Sequence, residues 1–108
     1  VSKPKVEPPP KHLKAGGAAL WRSVVGLFEL AEHDAAVLTL ACEARDRLDE
    51  CAARIAAEGA TVPDRYGNPK PHPLLNCERD SRAACLTGLR MLGLNVVAPG
   101  PTGRPPGR

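Results

Sequence analysis

Apolar residues recur at alternating spacings of four and three along the middle of this chain. Val37, Ala41, Ala44, Leu48, Cys51 and Ile55 form one continuous stripe, the seam that lets one helix pack along another. The pattern predicts a helix from Glu32 to Glu58, about 40 Å long at 1.5 Å per residue. A shorter helix precedes it, predicted from after Gly16-Gly17 to Phe28. Leu20, Val24 and Leu27 make its stripe, with Trp21, Val25 and Phe28 alongside. The linker between the two is short, so they should fold back as an antiparallel hairpin. Ala31 stands where a capping hydroxyl would be expected and has no side-chain oxygen to offer.

The next segment, Gly59-Ala-Thr-Val-Pro-Asp-Arg-Tyr-Gly-Asn-Pro-Lys-Pro-His-Pro73, cannot be helix. Its four prolines and two glycines remove amide donors and crowd the preceding turn. It reads as a short extended excursion turning at Gly67-Asn68, with His72-Pro73 launching a third helix from Leu74 to Leu92. That helix should turn Leu74, Cys77, Ser81, Ala84, Cys85, Gly88, Leu89 and Leu92 wholly or partly inward. The predicted class is therefore mainly α: an antiparallel helical hairpin, a β-like excursion and a third helix, between Pro-rich termini. Three segments follow: a basic arm at 1–15 whose first ten residues bury almost nothing and are mobile, a helical domain at 16–94, and a Pro/Gly-rich tail at 95–108.

The start of the long helix, DAAVLTLAC, is apolar on nearly every side. One neighbouring helix cannot cover all of it, and three aromatics in 108 residues make a thin core. Two ways of covering it are open: helices one and three of the same chain, or further copies. The second is the expectation taken, with Val37, Leu38, Leu40 and Ala41 as the interface between copies of a homo-oligomer.

Charge is segregated. Residues 1–19 carry a net +3, residues 20–58 a net −4 and residues 59–108 a net +4. Basic ends point to a polyanion, with Lys3, Lys5, Lys11, Lys14, Arg79, Arg82, Arg90, Arg104 and Arg108 as candidate phosphate contacts. The acids Glu43, Asp46, Asp49 and Glu50 are interleaved with Arg45, Arg47 and Arg54 and read as a solvated face. Glu43, Asp46 and Glu50 could also meet a basic protein.

Catalysis has no support in the sequence. There is no phosphate-cradling glycine loop, no metalloprotease motif and no nucleophile elbow. His12, His33 and His72 lie in three different segments without a Ser or Cys partner. Cys42 and Cys51 point about 180° apart on one helix, so no metal is expected. No cofactor is expected either. No apolar run is long enough to cross a bilayer. A simple helix-turn-helix reading places Glu32-His33-Asp34 against phosphate, an unfavourable start for a groove-reading helix.

The segments LWRSVV, FELAEHDAAVLTLACEA, IAAEGATV, YGNPKPHPLL and LRMLGL, in that order, resemble the small subunit of phage terminases of the short, mainly helical kind. The resemblance runs from Leu20 to Leu94 and rests on Trp21, the Leu30-to-Asp34 approach to helix two, Gly59, Gly67, Lys70, His72-Pro73 and Leu92-Gly93-Leu94. Ala31 departs from the usual hydroxyl residue, and the Pro/Gly tail from the usual ending. The resemblance implies a non-catalytic part of a DNA-packaging motor in the host cytoplasm. Such a subunit forms a ring, binds viral double-stranded DNA and regulates the ATPase and nuclease of the large subunit. A dimeric helical transcriptional regulator and a structural adaptor are the rival readings.

Overall fold

The computed structural model describes residues 7–93. Three helices, α1 (Ala15–Leu27), α2 (Glu32–Glu58) and α3 (Leu75–Met91), are joined by a linker and a two-stranded ribbon of β1 (Thr61–Pro63) and β2 (Pro69–Pro71). Both α1 and α3 run antiparallel to α2. Contacts between residues 14–17 and 42–50 tie α1 down. Gly88 meeting Ala41 sets α3. The long helix is thus the spine, with its seam residues Ala41, Ala44 and Cys51 buried.

The centre of the core is Trp21, Val24, Leu38 and Cys42, flanked by Leu13, Leu20, Val25, Leu30, Ala35, Leu89 and Leu92. Leu38 and Ala41 are 0% and 1% exposed. This corrects the expectation that these two face other copies: α1 covers Leu38 and α3 covers Ala41 within one subunit. The physical reason is the absence of a side chain at Gly88. A Cβ there would lie 2.9 Å from that of Ala41, so glycine lets α3 approach closely enough to seal the spine. Val37 remains half-buried, and Leu40 is 65% exposed. Ala84, expected to lean inward, is exposed.

The helix starts are capped by unusual means. At α2 the missing side-chain oxygen of Ala31 is offset by Asp34, whose carboxylate accepts the Ala31 N–H at 3.2 Å, the reciprocal half of a capping box. At α1 the cap comes from another helix altogether. Asp46 of α2 accepts the Lys14 N–H at 2.7 Å and the Gly17 N–H at 2.6 Å, satisfying two of the donors that a helix start leaves unpaired.

Gly17 is required by this arrangement. A Cβ at that position would stand 2.6 Å from the Cys42 carbonyl oxygen and 2.7 Å from the Asp46 carboxylate. Helix propensity alone would favour alanine by about 1 kcal/mol. We expect the opposite sign: Gly17→Ala should cost about 1–3 kcal/mol by overpacking against backbone, read as a lower thermal midpoint by circular dichroism.

The basic arm is not wholly detached. The Trp21 indole N–H donates to the Glu7 carbonyl at 3.0 Å, and Pro9 and Pro10 are half-buried. Residues 7–10 therefore lie against α1, more closely held than the expectation of almost no burial for the first ten residues. Residues 1–6 and the tail at 95–108 fall outside the described residues.

Candidate functional site

Six of the residues that carried the family resemblance have structural tasks. Trp21 is core, 5% exposed. Asp34 caps α2. Gly59 ends α2 with φ +94°, donating its N–H to the Ile55 carbonyl at 2.7 Å. Gly67 turns the ribbon with φ +86°. His72, 4% exposed, accepts the Leu74 N–H on Nδ1 at 3.0 Å. That leaves the proton on Nε2, which donates to Glu58 at 2.6 Å. One buried imidazole therefore joins the end of α2 to the start of α3. Pro73 follows, at a position before the helix where no amide donor is needed.

The acids of α2 are largely spent on the subunit's own start. Glu43 lies 2.7 Å from His12 Nε2, Asp46 takes the two α1 amides, and Glu50 accepts from Lys14 Nζ at 2.6 Å. The Lys14 bond is the main cause that holds the Glu50 carboxyl below its ordinary value, and it raises the Lys14 ammonium in return. Asp49 pairs with Arg45 one turn away at 3.1 Å. Glu43, Asp46 and Glu50 are thus the docking strip for residues 12–17, which corrects their reading as an open surface for a basic protein. Sequence offered no signal for this, because the partners are about thirty residues distant along the chain.

The candidate phosphate contacts divide in the same way. Lys14 is bonded to Glu50, Arg79 lies 3.5 Å from Asp80, and Arg82 lies 3.5 Å from Glu78. Lys11 and Arg90 are exposed and in no ion pair among the described residues. Lys3, Lys5, Arg104 and Arg108 lie outside the described residues. Of the five that are described, Lys11 and Lys14 precede α1, while Arg79, Arg82 and Arg90 lie along α3.

Three of the four thiols, Cys42, Cys51 and Cys85, are buried, and Cys77 is half-buried. Burial pushes Cys42 up to about 12 and raises Cys85 as well; Cys51 is raised first by burial and then by the neighbouring Cys77 thiol. Protonated thiols at neutral pH behave as small apolar packing groups. Among the described residues no group of three or more His, Cys, Asp or Glu is placed to hold a metal ion. No helix there is long and apolar enough to cross a membrane.

Two further surface features bear on binding. A shallow cleft of about 480 Å³ runs between α2 and α3, lined by Val37, Leu40, Ala84, Thr87, Gly88 and Met91. Leu40 and Met91 stand at 65% and 69% exposure. The second feature is the ribbon, whose end carries Arg65 and Tyr66 in the open, Tyr66 at 77%.

These features define a small helical module, three helices and a two-stranded ribbon, with charged and apolar side chains on its surface. Residues 17–100 match the family model for phage terminase, small subunit. The match spans most of the chain, and the chain belongs to that family. No curated protein and no solved structure gives a significant match. Subunits of this family are generally non-catalytic, and membership supports a phage packaging role.

Proposed function

We propose that this chain is the oligomeric, DNA-binding small subunit of a phage packaging terminase, acting in the host cytoplasm. In that role it binds viral double-stranded DNA and regulates the ATPase and nuclease of the large subunit. The observation that carries the reading is the family match over residues 17–100. The exposed apolar pair Leu40 and Met91 beside Val37 supports self-association in particular, because a small monomer gains nothing by keeping such side chains in water. On this reading the interface narrows from four residues to Val37 and Leu40 of α2 with Met91 of α3.

The test is mass. Light scattering of the intact chain should give a multiple of the 11.4 kDa subunit, and Leu40→Asp should return it to the monomer with helix content unchanged. A wild-type monomer at working concentration would reject self-association. Phosphate contact would come from Lys3, Lys5, Lys11 and Arg90, each weak alone and multiplied by the copies in an assembly. Deletion of residues 1–6, which spares the contacts at His12 and Lys14, should weaken DNA retention at low salt without changing the mass. Unchanged retention would clear the arm of that role.

A further inference from the structure

The ribbon between α2 and α3 is more than a connector. Its strands pair as Thr61 with Pro71, Val62 with Lys70 and Pro63 with Pro69. Three of those six residues are prolines, which lack the amide that a further strand would need. The ribbon therefore neither extends nor recruits another strand.

Its end is held rigidly. The Asp64 carboxylate accepts the Tyr66 N–H at 2.8 Å and the Asn68 N–H at 2.9 Å, while the Asp64 N–H donates to the Asn68 carbonyl at 2.8 Å. Gly67 makes the turn and donates to the Asp64 carbonyl at 3.0 Å. The base is fixed as firmly, by the His72 N–H on the Ala60 carbonyl at 2.8 Å and by His72 on Glu58.

What this scaffold presents is specific in kind. Asp64, the only acid between Gly59 and Pro73, turns its carboxylate onto the loop's own amides. Arg65 lies over the Tyr66 ring at 5.6 Å, a cation–π contact that keeps the two side chains together. Lys70 is exposed on β2, about 10 Å along the ribbon from the turn. Arg45, Arg54, Arg79 and Arg82 are spent on neighbouring carboxylates. Arg65 and Lys70 are in no ion pair among the described residues. Two unspent cations and an exposed aromatic on a stiff two-stranded element match what a nucleic-acid contact requires. Cations meet phosphate, the ring meets bases, and little ordering entropy is lost on binding. A two-stranded ribbon also has the width that the major groove of duplex DNA admits.

We propose that the Asp64–Lys70 turn of each subunit docks on duplex DNA, with Arg65 and Lys70 on phosphates and Tyr66 against the groove. This rests on the DNA-binding reading given under Proposed function and supplies it with an element that none of the candidate basic residues belongs to. Asp64 serves as a positioning residue.

The experiment uses the intact chain and a labelled duplex of about three helical turns, with anisotropy followed from about 50 to 200 mM salt. Arg65→Ala and Lys70→Ala should each reduce the slope of log affinity on log salt by about 1 per subunit engaged. The triple variant R65A/Y66A/K70A should bind at least about tenfold more weakly at low salt, a loss of one well-made contact or more. Arg47→Ala, which removes an exposed arginine from the spine, should leave binding unchanged. Asp64→Ala makes the chain more positive, yet it should weaken binding because the turn loosens. Circular dichroism confirms that each variant is folded.

A triple variant with wild-type affinity and slope overturns the proposal while leaving the DNA-binding reading intact. So does an Asp64→Ala chain that binds more tightly, since bulk charge would then suffice. Equal or tighter binding of the matching single strand overturns docking in a duplex groove. A wild-type chain that retains no duplex even at low salt overturns both.

Discussion

Leu38→Ala should lower stability by about 3–5 kcal/mol, whereas Leu40→Ala, two residues along the same helix, should change it by less than about 0.5 kcal/mol. Leu38 is fully buried between Trp21, Val24 and Cys42, and Leu40 is 65% exposed. Truncating Leu38 removes transfer free energy and leaves a cavity lined by a rigid indole and a helix backbone. A chain of this size has total stability of only about 5–10 kcal/mol, so the variant loses about a third of it or more. The expected drop in midpoint is roughly 15–20 °C. Leu40→Ala should keep the midpoint of the dissociated subunit and reduce the mass of any assembly. Comparable destabilisation of the dilute subunit by both substitutions would mean that Leu40 packs inside it.

That pair of residues also shows where periodicity stops being informative. Val37, Ala41, Ala44, Leu48, Cys51 and Ile55 share one face, and that spacing, with Gly59 as the stop, placed α2 at about 32 to 58, where it is found. The Pro- and Gly-rich stretch likewise announced a ribbon, because few other structures accommodate prolines at 63, 69, 71 and 73. Periodicity says which residues want covering and is silent on what covers them. Leu38 and Ala41 looked too greasy for one chain to hide. The missing side chains of Gly17 and Gly88 make that burial possible, and their effect depends on which helices meet.

The charged residues were less legible for a related reason. Glu43, Asp46 and Glu50 sit among arginines in sequence and so looked solvated, but folding brings residues 12–17 against them. Asp46 becomes the cap of a helix some thirty residues upstream. Of the site residues, Lys14, Arg79 and Arg82 turned out to have acids beside them. Arg65, Tyr66 and Lys70 form no contact pattern in sequence, because only a rigid turn makes these surface residues one presented group.

His72→Ala should be the most damaging change outside the central core, costing about 2–4 kcal/mol. The substitution deletes the acceptor of the Leu74 amide and the donor to Glu58, and it empties the space of a ring that is 4% exposed. The two bonds can be separated. His72→Asn keeps an acceptor near the position of Nδ1, and His72→Gln keeps a donor near that of Nε2, so each should recover part of the loss. If neither recovers any, the effect belongs to the ring's volume rather than to its hydrogen bonds.

Acid titration gives a second reading of the same joint. The His72 bond, followed by that from Arg54, holds the Glu58 carboxyl below its ordinary value of 4.5. A depressed carboxylate contributes its stability above the unfolded value and loses it as pH falls through the folded one. The intact chain should therefore weaken below about pH 4.5, and His72→Ala should show a shallower acid limb in pH-dependent melting. Because His72 anchors the base of the ribbon, the variant should also lose DNA-binding slope at temperatures where its helices are still formed. Loss of helix and loss of the slope at the same temperature would place the ribbon and the helices in one cooperative unit. Separate losses would make His72 the residue that aims Arg65, Tyr66 and Lys70.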